Sequence, residues 1–277
     1  MKIQEINTKS YITKSKLPAS DFVVNPYVGC PHKCIYCYAE FMKRFTNHEE
    51  DWGEFLDVKR CSQLLLPRDI KAGESVLFGS VTDAYNPYES KYKVTRSILE
   101  NLVDCTGHIE ILTKSDLILR DIDIIKKIKD IAVGISMNST DDRFRAETEP
   151  RASSVEKRIN ALRILKENGI KTYLFMSPIF PEISDWICLI EKTRDYFDYV
   201  CFENLNLRGG YKPRVLNYIA NKYPQHMELY NSIYRDAKVG YWVNLEQEII
   251  AYCTANGLDY RMYFYHEKIK KGGTGGN

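Results

Sequence analysis

The residues of this sequence best placed to do chemistry are three cysteines within one short segment. The string NPYVGCPHKCIYCYAEF sets Cys30, Cys34 and Cys37 at C-x3-C-x2-C spacing. Thiolates are the usual ligands of iron–sulfur clusters, and four irons want four ligands. Three cysteines leave one iron open to an outside ligand. The amino and carboxylate groups of S-adenosylmethionine (SAM) can supply it. Reduction would then cleave the sulfonium and generate a 5′-deoxyadenosyl radical, the cofactor doing the chemistry and the protein positioning and shielding it. Two plainer readings compete. Cys30, His32, Cys34 and Cys37 offer a zinc donor set, but tight zinc sites usually pair two short knuckles, and no second knuckle occurs. Three structural cysteines at this spacing by chance is the other. His32 alone reads as a loop or surface residue.

Such a site needs a frame. From Phe22 onward, short β-rich runs alternate with helical stretches. The runs are Phe22–Val24, Ser75–Gly79, Ile109–Thr113, Ile131–Met137, Thr172–Met176 and Tyr199–Phe202. Between them, Val94, Ile98, Leu99 and Leu102 share one helical face. So do Ile122, Ile125 and Ile128, and then Val155, Ile159, Leu162 and Leu165. The last of these helices opens with Ser153 and Glu156 as a capping box and stops at Gly169. Six strand–helix units predict an α/β fold with a parallel sheet and helices outside, a partial, open (β/α)6 barrel of the TIM type. Ligands in such folds sit at the C-terminal ends of the strands. The cysteine motif follows the first strand.

The remaining chain divides around that barrel. Residues 1–20 read as an extended arm, 21–205 as the barrel, 206–268 as a C-terminal helical extension with a strand near Tyr260–Phe264, and 269–277 as a disordered tail. Thr46–Leu66 reads as an irregular inserted loop. The chain has 277 residues, a net charge of +2 and 44% apolar residues. Size and composition allow a full core, and the balanced charge gives no global case for nucleic-acid or membrane binding. No run of 18 apolar residues and no signal-peptide core occurs, so a cytoplasmic protein without membrane contact is expected. Cys61, Cys105, Cys188, Cys201 and Cys253 are scattered without C-x2-C spacing, which argues against a second cluster.

Beyond the triplet, the chain resembles a known family. C-x3-C-x-Tyr-C after a first strand is similar to the radical SAM superfamily. FGSVTDAYNPYE, ILTKSDLILRDIDII, VGISMNSTDD, ETEPRASSVEKRINALRILKENGI and MSPIFPEI resemble, in order, the subgroup related to spore photoproduct lyase, over roughly residues 20–205. The fuller string SKLPASDFVVNPYVGCPHKCIYCYAEFMKRFTNHEEDWGEFLDVK resembles one branch, the radical SAM mobile pair proteins, encoded as two neighbours. The resemblance implies a [4Fe–4S] cluster on Cys30, Cys34 and Cys37, with SAM as cofactor. It implies Tyr36 against the adenine and Ser80, Thr82 and Asp83 toward the SAM amino group. It further implies Lys114 toward the SAM carboxylate, Ser136 and Asn138 at the ribose, and Ser177 at the adenine edge. Each has a bland alternative, from turn-forming polar residues to a solvated lysine. Arg143, Arg145, Glu149 and Arg158 read as a salt-bridge network. One departure stands out. The lesion-repairing lyases carry a hydrogen-donating cysteine in a string like C-T-S-D, where this chain has S-V-T-D with Ser80. A serine O–H bond is too strong to replace the thiol, which puts lyase activity itself in doubt.

Three functions follow as expectations. The first is radical modification of a nucleic-acid base, RNA favoured, with a second radical SAM protein as partner and an electron donor such as flavodoxin or ferredoxin. The second is modification of a peptide or protein. The third is a non-catalytic, cluster-bearing partner. The nucleic-acid reading wants basic groups beside aromatics at the barrel mouth. The candidates are Lys9, Lys14, Lys16, Lys43, Arg44, Lys126, Lys127, Lys129, Lys268, Lys270 and Lys271, with Trp52, Tyr85 and Tyr88. For most of the basic residues a solvated helix face is the plainer reading.

Overall fold

The computed structural model describes residues 1–17, 20–238 and 240–264. The strands in chain order are β1 (Lys2–Thr8), β2 (Ile12–Lys14), β3 (Phe22–Val24), β4 (Tyr27–Val28), β5 (Phe55–Cys61) and β6 (Ser75–Phe78). They continue with β7 (His108–Thr113), β8 (Ile131–Ser136), β9 (Lys171–Ile179), β10 (Tyr199–Asn204) and β11 (Tyr260–Met262). The main sheet runs β11-β10-β9-β8-β7-β6-β3-β2. From β3 to β11 every neighbouring pair is parallel, and β2 joins antiparallel. All six expected runs are strands in this sheet, adjacent in chain order. The edges β11 and β2 do not pair with each other, so the barrel is partial and open.

Two segments are more ordered than the sequence suggests. The arm is extended, but β1 pairs in parallel with β5 and β2 pairs with β3. The stretch Thr46–Leu66 is correspondingly no irregular loop, because it supplies β5, the middle of a second sheet β1-β5-β4. Its partners β1 and β4 lie outside the segment, β1 more than forty residues away in sequence, so no local pattern announces it. The region after Asn204 holds helices Lys212–Lys222, Met227–Tyr234 and Gly240–Ala255, and β11 returns to the main sheet. The tail, with Lys268, Lys270 and Lys271, lies outside the described residues. No described helix is long and apolar enough to cross a membrane.

The helices cover the outer face of the sheet. Ile98, Leu99, Ile124, Ile125, Leu162 and Leu165 are buried there. The clearest helix, Val155–Glu167, is capped by Ser154, whose side chain accepts from the Lys157 N–H. Ser153, the expected cap, instead donates to Asp116 Oδ1 at 2.6 Å. The inner face is filled by Tyr173, Tyr199 and Cys201. Tyr173 lies across Gly134, where a Cβ would stand 2.1 Å from its ring, so glycine is what lets that ring cross the sheet.

Candidate functional site

β4 delivers the chain to Gly29, which has φ +89° and would place a Cβ 2.5 Å from the Phe55 carbonyl oxygen. Only glycine makes that turn without strain. The cysteine loop then runs to Cys37, the residue before a 3-10 helix at Tyr38–Phe45. Surrounding elements hold the loop by its backbone. The Ile35 N–H donates to the Thr148 carbonyl at 2.9 Å, and Arg214 Nε donates to the Ile35 carbonyl at 2.9 Å. Thr82 Oγ1 donates to the Gly29 carbonyl at 2.6 Å. The Trp52 indole N–H donates to Cys37 Sγ at 3.2 Å.

All three motif cysteines are free thiols. Burial pushes the Cys30 thiol up to about 12. Burial also raises Cys34 well above its ordinary value, with added repulsion from Glu149, Cys37 and Cys30. The three sulfurs therefore share one neighbourhood, and binding an iron centre there must displace protons. Among the described residues, no three His, Cys, Asp or Glu side chains are gathered to hold one metal ion. His32, the extra ligand of the zinc reading, is 2% exposed rather than on the surface. Its Nδ1 lies 3.3 Å from Asp83 Oδ2. A loop of three thiols with an N–H donor on one sulfur fits an iron–sulfur cluster.

Facing this loop are the polar ends of the strands. Lys114, after β7, donates from Nζ to Ser136 Oγ at 2.8 Å. The same ammonium lies 4.0 Å from Glu149 Oε1 and 6.0 Å from the Tyr36 ring centroid. Asn138 Nδ2 is 3.5 Å from the Tyr36 hydroxyl. Ser136 Oγ is 3.4 Å from the Ser177 carbonyl, and the Ser177 hydroxyl donates to Glu203 on β10. Tyr36, Lys114, Ser136, Asn138 and Ser177 are thus brought together.

The group after β6 is used differently. Asp83 Oδ1 accepts from the Tyr85 N–H at 2.8 Å and the Thr113 hydroxyl at 2.7 Å. Its Oδ2 accepts from the Lys114 N–H at 2.8 Å. Ser80 Oγ accepts from Asn25 Nδ2 at 2.9 Å. Asp83, Thr82 and Ser80 therefore tie strand ends and the cysteine loop to one another.

The salt-bridge network expected of Glu149 and Arg158 is present, and its burial at the centre of the site is what the sequence did not announce. Glu149 and Arg158 are fully buried and ion-paired. Glu149 Oε1 accepts from the Tyr36 hydroxyl. Arg158 also donates to the Ser136 carbonyl at 2.9 Å and the Ser153 carbonyl at 2.8 Å. Burial alone would raise the Glu149 carboxyl, but the cations Arg158 and Lys114 outweigh it and hold it below its ordinary value. The signal was present, because Arg158 falls in register with Val155, Leu162 and Leu165 on the buried helix face. Arg145 instead pairs with Asp142 at 2.7 Å, and exposed Arg143 lies 3.9 Å from Glu147. Of the aromatics expected at the mouth, Trp52 and Tyr85 are buried in the protein. The exposed rings near the motif are Tyr38, Phe41 and Phe45.

Comparison with known proteins agrees with this geometry. An uncharacterized protein of Methanocaldococcus jannaschii is 39% identical over 230 residues, covering 83% of this chain and 86% of that one. Spore photoproduct lyase, solved with a dinucleoside spore photoproduct, superposes with a TM-score of 0.56 at 18% identity. That match covers 80% of this chain and 65% of the lyase, so the chain spans just under two thirds of the lyase's length. SuiB of Streptococcus suis, solved with S-adenosylmethionine, gives a TM-score of 0.60 at 18% identity, covering 88% of this chain and 50% of that one. At such identities these structures share the fold. The sequence profile of the Radical SAM superfamily matches residues 24–188, from the first barrel strand through the cysteine loop to the helix after the fifth. The chain therefore belongs to the radical SAM superfamily, enzymes that use a [4Fe–4S] cluster together with SAM.

Proposed function

We propose that this enzyme modifies a base of a nucleic acid, RNA in preference to DNA, working beside a second radical SAM protein. Cys30, Cys34 and Cys37 carry the cluster in this reading. Bound cluster and SAM, reduced by a flavodoxin- or ferredoxin-type donor, supply a 5′-deoxyadenosyl radical. The chain's own residues bind, orient and shield. Lys114 holds the SAM carboxylate by a charge-assisted bond. Ser136 and Asn138 take the ribose hydroxyls. Tyr36, fixed by Glu149 and packed edge-on against Phe180 at 5.5 Å, and Ser177 lie along the adenine. Asp83, Thr82 and Ser80 stand toward the SAM amino group and also position Lys114 and the loop.

One observation carries the substrate class. The fold is shared with a lyase solved holding a dinucleoside. The absence of a cysteine at Ser80 separates the proposed reaction from lesion repair. The test is anaerobic reconstitution, reduction and addition of SAM, with and without cellular RNA, followed by quantification of 5′-deoxyadenosine. Stimulation by RNA and a new modified nucleoside in its digest are expected. Stimulation by a peptide pool, with none by RNA, overturns the substrate class.

The SAM assignment has its own check. Lys114→Ala is expected to weaken SAM binding about 10- to 100-fold, the range for a lost charge-assisted hydrogen bond. The cluster absorbance should stay. Wild-type affinity in anaerobic equilibrium dialysis removes Lys114 from the SAM site.

A further inference from the structure

The 3-10 helix Tyr38–Phe45 has three residues per turn, so side chains at i and i+3 eclipse. Its side chains fall into three rows. Ala39 and Met42 pack inward against Trp52 and Phe55. Glu40 is paired with Arg214 at 2.9 Å, and Lys43 donates to the Glu49 carbonyl at 3.0 Å. The remaining row, Tyr38, Phe41 and Arg44, points outward. Tyr38 is 47% exposed and Phe41 43%. Phe45, at the helix end, is 66% exposed.

Exposed rings on a helix face are costly to leave in water unless something covers them. The chemistry of this row says what does. The Arg44 guanidinium stands 5.5 Å from the Phe41 ring centroid and 4.6 Å from that of Phe45. Among the described residues no carboxylate pairs with it. A cation held beside two rings without a carboxylate partner suits a phosphate backbone whose bases stack on the same rings.

The spacing agrees. Three residues at ~2.0 Å rise set successive side chains of the row ~6 Å apart. Bases stack ~3.4 Å apart, so two rings bracketing one base stand ~6.8 Å apart. The row also leads to the proposed site. The Tyr38 hydroxyl donates to the Ser80 carbonyl, after β6, and Cys37 immediately precedes it.

We infer that Tyr38, Phe41 and Arg44 form a stacking track for single-stranded RNA flanking the base to be modified, an inference that rests on the nucleic-acid reading above. A base sits between Tyr38 and Phe41, the next lies against Phe41, and Arg44 takes a phosphate. The track lets a sheet-bound active site reach an unpaired strand without a basic global charge.

The test is fluorescence anisotropy of a labelled ten-nucleotide oligouridylate with the anaerobic, cluster-loaded chain. Phe41→Ala is expected to weaken binding about 5- to 150-fold, the range for one lost base–ring stack. Arg44→Gln should reduce the slope of log affinity against log salt by about 0.7. Cluster absorbance and RNA-independent 5′-deoxyadenosine formation should match wild type in both, showing an intact fold. If wild type binds oligouridylate and both variants bind equally well, the track is wrong and the nucleic-acid reading survives. If wild type binds no RNA, that reading falls and the track with it. If the variants bind RNA normally but accept electrons from reduced flavodoxin more slowly, the face docks the electron donor and the track is overturned.

Discussion

Cys34→Ala is expected to lose the brown cluster absorbance and, with it, all reductive cleavage of SAM. Each motif thiolate holds one iron in the proposed site, and a four-iron cluster with two protein ligands has no reason to stay in place. Alanine is tolerated by the fold, because the loop is fixed by backbone bonds on both sides of Cys34 and not by the thiol. The Ile35 N–H still reaches Thr148, and Arg214 still reaches the Ile35 carbonyl. The variant should therefore melt near wild type when both are stripped of iron. Iron and sulfide analysis, visible absorbance and 5′-deoxyadenosine yield read the result. A full cluster with normal cleavage in Cys34→Ala, and again in Cys37→Ala, sinks the ligand assignment.

The second large effect is structural. Arg158→Leu should cost about 3–5 kcal/mol, because it leaves the Glu149 carboxylate buried without its ion-pair partner. For a chain of this size that corresponds to a melting temperature lower by about 6–20 °C. Lys114 compensates only in part, at 4.0 Å and half-turned toward Ser136. The consequence extends past stability. Glu149 fixes the Tyr36 hydroxyl, and Arg158 holds the Ser136 carbonyl and the turn at Ser153. SAM affinity should fall together with the melting temperature. The double variant Glu149→Leu/Arg158→Leu is expected to be less destabilised than the sum of its single variants, because no unpaired charge remains. Melting of Arg158→Leu within 2 °C of wild type shows that the pair does not carry the site.

Cys61 lies 2.8 Å from Thr8 Oγ1 on the β1–β5 ladder, and Cys201 sits among Tyr173 and Tyr199 inside the barrel. Cys105 and Cys253 are buried with the core. Cys61, Cys105, Cys201 and Cys253 thus occupy separate places in the fold.

What the sequence by itself determined is local and periodic. The triplet spacing named the chemistry, because ligands on one short loop need no knowledge of distant chain. Alternating β-rich and 3.6-period runs named six strands and their order, because parallel strands joined by helices have few arrangements. The family resemblance, together with the strand ends, then put forward Lys114, Ser136, Asn138 and Ser177 as candidates. What only the tertiary structure decided depends on residues far apart. Glu149 and Tyr36 meet across a sequence separation of 113, and charge type alone does not distinguish a buried pair from a surface one. β5 exists because β1 and β4 pair with it from both sides, which no pattern inside Thr46–Leu66 encodes. Asp83 accepts from the Tyr85 and Lys114 N–H groups and from the Thr113 hydroxyl, contacts that its place after β6 does not announce. The outward row Tyr38, Phe41, Arg44 appears only once the segment is a 3-10 helix rather than an α-helix. A change from 3.6 to three residues per turn is what aligns those side chains, and the packing of Ala39 and Met42 beneath them chooses which row faces solvent.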